Sequence, residues 1–183
     1  EWREQTTVGN AGPRTSRLML AMKRHNPALT PWLWCVGIHE SCHAVTALSF
    51  GVVPQMMIVG LDHLGRGTGQ CCWRESPAAA SLTPRQRALI SIAGAAGSLL
   101  WLDDSDAATR ISRTDEAGIT CEGFSKDDRG LFVEANNLCH RHWRAIWTLT
   151  VELGIRGVLH AADITALMAS NPDMQTLAAR RVG

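Results

Sequence analysis

Residues 39–43 read His-Glu-Ser-Cys-His. On an α-helix, side chains four positions apart share one face about one turn from each other, so the imidazoles of His39 and His43 can meet at one metal ion. Neutral imidazole is a standard zinc ligand, and three protein ligands leave a fourth position for water. Glu40, beside the first histidine, is placed to take a proton from a water that such a zinc acidifies, for attack on a peptide carbonyl. The spacing nominates His39 and His43 as ligands, Zn2+ as cofactor and Glu40 as general base. Putting these three side chains in a helix that is otherwise apolar costs free energy unless something satisfies them, which argues against an accidental pattern.

The motif leaves its third ligand open. Thr46 and Ser49 stand where a longer single-segment motif would carry a glycine and a third histidine. The third ligand must come from elsewhere in the chain, and the acidic candidates downstream are Glu75, Asp103, Asp104, Asp106, Asp127 and Asp128. His140 and His142 are two apart, point away from each other on a helix, and read as surface or packing residues. His63 follows the first expected strand and could enter a cleft there, whereas His160 starts a helix and reads as structural. Arg66 and Gly67–Gly69 form a Gly-rich loop at the cleft, without the Lys-Ser/Thr ending and following helix of a phosphate loop.

The elements that must position these residues are mostly helices. Thr30-Pro31 opens the motif helix with a capping side chain and a proline where its missing N–H costs nothing. The helix runs through WLWCVGIHESCHAVTALSF to Gly51, and its apolar surface on nearly all sides marks it as central. VVPQMMIVG reads as a strand and Gly69–Trp73 as a second. Thr83-Pro84 opens a helix through RQRALISIAGAAGSLLW, whose small residues suit close packing. Residues 102–126 are polar and read as loop. One long helix is expected from near Ser125 to about Leu153, then a connection over Gly154–Leu159 and a last helix over Ala161–Ala169. Residues 1–16 read as a flexible lead-in, followed by a short helix from Arg17 and a single domain over 17–183.

Composition narrows the function classes. The chain has 183 residues, 45% of them hydrophobic, which suffices for a buried core. Its 18 basic and 17 acidic residues give a net charge of +1, which offers no reason to expect nucleic acid. The basic residues Arg14, Arg17, Lys23 and Arg24 read as a solvated helix face. No signal peptide and no uninterrupted apolar run of membrane-spanning length is seen, so no membrane insertion is expected. The six cysteines are scattered, without a C-x-x-C pair, and read as reduced, mostly buried thiols of a cytoplasmic protein. The seven tryptophans read as core and pocket wall.

HESCHAVTALSFG resembles the HEAGHAVVAL-type helix of the peptidase domain of FtsH-type ATP-dependent zinc proteases. MMIVGLDHLGRGTGQ is similar to the strand and Gly-containing stretch that follow it there, and LISIAGAAGSLLW to its small-residue helix. GFSKDDRGLFVEA resembles the segment opening the helix that carries the third ligand, and HWRAIWTLTVELGIRGVLHAADITALM the closing helices. The likeness spans roughly residues 30–170, with its specificity concentrated in the HESCH helix.

This resemblance implies a mainly α, helical metallopeptidase domain with a small β-sheet edge beside the zinc-binding helix. It implies Asp127 as third ligand, with Asp128 as the alternative, because Asp128 and Gly130 depart from the family's pattern. It also implies a protein or peptide substrate lying extended along Gly67, Thr68, Gly69 and Gln70. Cys42 replaces the family's common glycine before His43, a thiol that either packs quietly or sensitises the site to oxidation. The chain has no GxxxxGK[ST] phosphate loop and cannot couple ATP by itself. The expectation is a zinc endopeptidase for unfolded proteins or peptides, as a homo-oligomer or beside a separate ATPase partner. A non-catalytic zinc-binding interaction domain derived from such a peptidase is the alternative.

Overall fold

A computed structural model of the chain describes residues 31–64, 67–102 and 112–178. The expected lead-in over 1–16, the helix from Arg17, the Thr30 cap, and Arg66, Asp103, Asp104 and Asp106 lie outside the described residues.

The fold is mainly helical with one small antiparallel sheet. Helix α1 (Pro31–Ser49) carries the HESCH motif. It buries Trp34, Ile38, Cys42, Ala44, Val45, Ala47 and Leu48, which together occupy most of its circumference. Each large apolar side chain so buried contributes about 1.5–3 kcal/mol. The helix ends as the sequence predicts: Gly51 takes φ 85°, and the Gly51 and Val52 N–H groups bond the Leu48 and Ala47 carbonyls, each at 2.9 Å.

Strands β1 (Met56–Leu61) and β2 (Gly67–Cys72) form a hairpin, with Met56 opposite Cys72 and Leu61 opposite Gly67. The expected flexible loop at Gly67–Gly69 is thus the first half of a strand. After a 3-10 turn over Pro77–Ser81 comes α2 (Pro84–Leu102), the predicted small-residue helix. Its Ala88, Ile90, Ile92, Ala93, Ala95 and Ala96 are buried.

Three sequence expectations need correction. Residues 102–126 are not all loop, because Arg113–Cys121 forms helix α3. The expected long helix is two, α4 (Arg129–Arg141) and α5 (Trp143–Arg156), joined at His142 with φ −106° and ψ 23°. The buried stripe Leu131, Ala135, Cys139, Ile146, Leu149, Leu153 stays in phase across the break, which is why it reads as one helix. The change of direction lets α4 cover α2 while α5 covers α1. The expected connection at Gly154–Leu159 is instead the end of α5, Gly157 at φ 73°, and the start of β3 (Val158–His160), which adds to β1. Helices α6 (Ala161–Ser170) and α7 (Pro172–Ala178) close the fold.

The sheet order is β2-β1-β3, so among the described residues β2 is an edge strand. Helix α1 packs against α2, α5, α7 and the β1–β2 hairpin. No helix among the described residues is long and apolar enough to cross a membrane.

Candidate metal centre

On α1, His39 and His43 sit one turn apart with ring centroids 4.7 Å apart and planes at 79°. Both are held from α2. The His43 Nδ1–H donates to the Ile90 carbonyl at 2.6 Å. Ser98 Oγ donates to the Gly94 carbonyl at 2.8 Å and is left to accept from His39 Nδ1 at 3.4 Å. With Nδ1 so engaged on each ring, Nε2 is the atom that would ligate, the arrangement that outer partners impose at metal sites.

Asp115 of α3 faces both Nε2 atoms. Its Oδ2 lies 3.1 Å from His39 Nε2 and its Oδ1 3.4 Å from His43 Nε2. The ligand atoms of His39, His43 and Asp115 all lie within 4.8 Å of one another, so this group could hold a metal ion. The space they share is kept open by a glycine. A Cβ on Gly94 would lie 2.5 Å from His39 Nε2 and against His43 Nε2. Two imidazoles and one carboxylate around a cradle that a methyl group would fill suit zinc.

Charges reflect this proximity. Burial alone would push His43 down, but Asp115 beside it raises it to about 9. Burial would raise Asp115, yet His43 and His39 hold it below the ordinary carboxylate range. Glu40 is 7% exposed, and burial pushes its pKa up. Its carboxylate has no hydrogen-bond partner among the described residues, and it lies against the Gly69 backbone, where an added Cβ would come 2.7 Å from Glu40 Cγ.

The carboxylate beside the histidines is neither of the two that the resemblance implies. Asp127 is exposed in the turn before α4, where its own N–H bonds Ser125 Oγ at 3.1 Å. Asp128 caps α4, accepting the Leu131 N–H at 3.0 Å. Neither joins the histidines, and Asp115 was not among the carboxylates the sequence offered. One signal could have found it: Ser112-x-x-Asp115 has capping-box spacing. Ser112 caps α3, accepting the Asp115 N–H at 3.0 Å while its hydroxyl donates to Asp115 Oδ2 at 2.7 Å.

The other expected residues fall as follows. Gly67, Thr68, Gly69 and Gln70 lie on edge strand β2, which packs on α1 at Gly69. Glu75, His63 and His140 are exposed, His142 is buried at the α4–α5 junction, and His160 caps α6. Trp34 is buried and stacks on Trp147 with centroids 5.8 Å apart. All six cysteines are unpaired; two are buried, Cys121 is exposed and the rest lie between. Cys42 is fully buried beside Cys139 under Gly97, which has no side chain to displace it.

The Gly94 cradle predicts a separation of effects. Gly94→Ala improves intrinsic helix propensity by about 1 kcal/mol, yet its methyl occupies the metal space. Zinc affinity, read by competition with a chromophoric chelator, should fall at least about tenfold while far-UV circular dichroism stays that of the parent. Parental affinity in this variant would place the metal elsewhere.

No protein-family model matches this chain, and no curated protein matches it.

Proposed function

We propose that the chain is a zinc-dependent endopeptidase acting on unfolded proteins or peptides, with an FtsH-like peptidase arrangement. The observation that carries this reading is Glu40: a carboxylate on a residue only 7% exposed, set beside the three groups that could hold a metal ion and close enough to feel the charge of each. A carboxylate kept largely from water, with its ionised form disfavoured by burial, beside a cluster of donor groups is the setting in which proton-transferring side chains are found.

His39, His43 and Asp115 would hold the zinc. When bound, zinc supplies Lewis acidity, polarising a carbonyl and acidifying water. Glu40 takes and returns the proton. Burial, which disfavours its ionised form, suits it to deliver that proton to the leaving amine. Ser98 and the Ile90 carbonyl fix the histidine tautomers. The edge of β2, unpaired among the described residues, offers main-chain donors and acceptors to an extended peptide beside Glu40, and Gly69 lets that backbone approach. The interaction-domain alternative gives no role to Glu40.

The test uses an unfolded labelled protein as substrate. Cleavage should stop when a zinc chelator is present in excess and return on adding about one equivalent of zinc. Cleavage that persists in the zinc-depleted protein would overturn the proposal, as would failure of the protein to bind zinc.

A further inference from the structure

Helix α3 is poorly equipped to hold Asp115 by itself. It has nine residues, and its one buried residue is Ile119, packed among Ala88, Leu89, Ile92, Leu131 and Ala135. A helix this short has little stability of its own, and one apolar anchor leaves its rotation and tilt loosely set. The other attachment is polar. Arg74 Nη2 donates to Ser91 Oγ on α2 at 3.1 Å and to the Gly118 carbonyl on α3 at 3.3 Å. Arg74 Nη1 donates to Glu122 at 3.3 Å, and Arg87 Nε reaches the same carboxylate oxygen at 2.8 Å. Arg74 is itself steadied by Trp73, whose ring centroid lies 4.4 Å from its guanidinium carbon. Trp73 is buried directly after β2.

We infer that Arg74, with Glu122, is a positioning residue for the metal ligand Asp115, tying the helix that carries it to α2 and to the end of the edge strand. The inference rests on the metal-site reading above. The planar guanidinium presents several donors in a fixed fork, so one side chain orients two elements at once. Gly118, on the same helical face as Asp115 one turn on, is the contact point. A Cβ there would come 2.7 Å from Ser91 Oγ and 3.0 Å from Arg74 Nη2, so α3 sits this close because residue 118 has no side chain. Because Arg74 stands two residues beyond β2, a peptide adding to that strand would act on the third ligand through the same clamp.

A part-exposed ion pair adds little to global stability. A purely structural role would therefore leave metal affinity alone, whereas a positioning role moves it. The experiment measures zinc affinity and the Co(II) absorption spectrum for the wild type, Arg74→Ala, Arg74→Lys and Gly118→Ala, with Asp115→Ala as reference. Arg74→Ala should bind zinc about tenfold more weakly, with a Co(II) spectrum shifted towards that of Asp115→Ala. Arg74→Lys should recover part of the loss. Gly118→Ala keeps Arg74 and strengthens helix propensity, yet should also weaken binding; it decides the matter if Arg74→Ala fails to fold. Wild-type affinity and spectrum in Gly118→Ala and in any folded Arg74→Ala would overturn the inference while leaving the metal site standing. Absence of zinc binding in the wild type would overturn both.

Discussion

Asp115→Ala is expected to strip the protein of its metal, whereas Asp127→Ala is expected to keep it. Losing an outer partner of a ligand already weakens metal binding 10–100-fold, so losing a ligand should cost at least about 100-fold. Asp115 sits within hydrogen-bonding range of His39 Nε2, at 3.1 Å, and close to His43 Nε2, at 3.4 Å. Asp127 is exposed at the foot of α4, where its own N–H bonds Ser125 Oγ. The measurement is zinc per chain by elemental analysis after dialysis, with thermal unfolding alongside. Zinc at 100 times its dissociation constant stabilises the native state by about 2.7 kcal/mol. At about 2–4 °C per kcal/mol for a chain of this size, the wild type and Asp127→Ala should melt roughly 5–10 °C higher with zinc. Asp115→Ala should show no such rise. The reverse pattern, with zinc lost only from Asp127→Ala, would falsify the assignment of the third ligand.

The second large effect is on turnover. Glu40→Gln keeps the shape of the side chain and removes its ability to take a proton. General-base catalysis contributes about 10²–10⁴-fold, so cleavage of an unfolded substrate should fall by that factor, or about 2.7–5.5 kcal/mol in barrier. Zinc content should not change, since the group that could hold the metal is His39, His43 and Asp115, without Glu40. Folding should not suffer either, because a neutral amide replaces a carboxylate that is 7% exposed and lacks a hydrogen-bond partner among the described residues. Parental cleavage rates in Glu40→Gln would remove it from the chemistry. Loss of zinc in the same variant would instead make it part of the metal site.

The comparison of these two variants shows how unevenly the site was legible. His39, Glu40 and His43 are close in sequence, and helical geometry alone brings the histidines onto one face. Their supports are not local: Ile90, Gly94 and Ser98 come from α2, some fifty residues on. The small residues of that helix announce close packing, but not that residue 94 lies beneath two imidazoles. Gly67–Gly69 read as a loop at the cleft leading into the second strand, whereas its place on an edge strand among the described residues depended on β3, which lies at 158–160.

The sequence by itself determined the motif helix, its stop at Gly51, the presence of two strands after it, the small-residue helix and the predominance of helix. Each of these rests on a local signal: a cap, a left-handed glycine, an apolar period or β-branched residues. Only the tertiary structure shows which carboxylate stands beside the two histidines. Helix α3 buries one residue, Ile119, and so has almost no apolar period to read. The resemblance of the segment opening α4 implies Asp127 or Asp128, but Asp128 caps the helix and Asp127 faces solvent. Asp115 reaches the histidines because α3 docks on α2 through Ile119, Gly118 and the Arg74–Glu122 pair. A ligand brought in by contacts between distant segments leaves no periodic trace in the chain, whereas a ligand pair on one helix does.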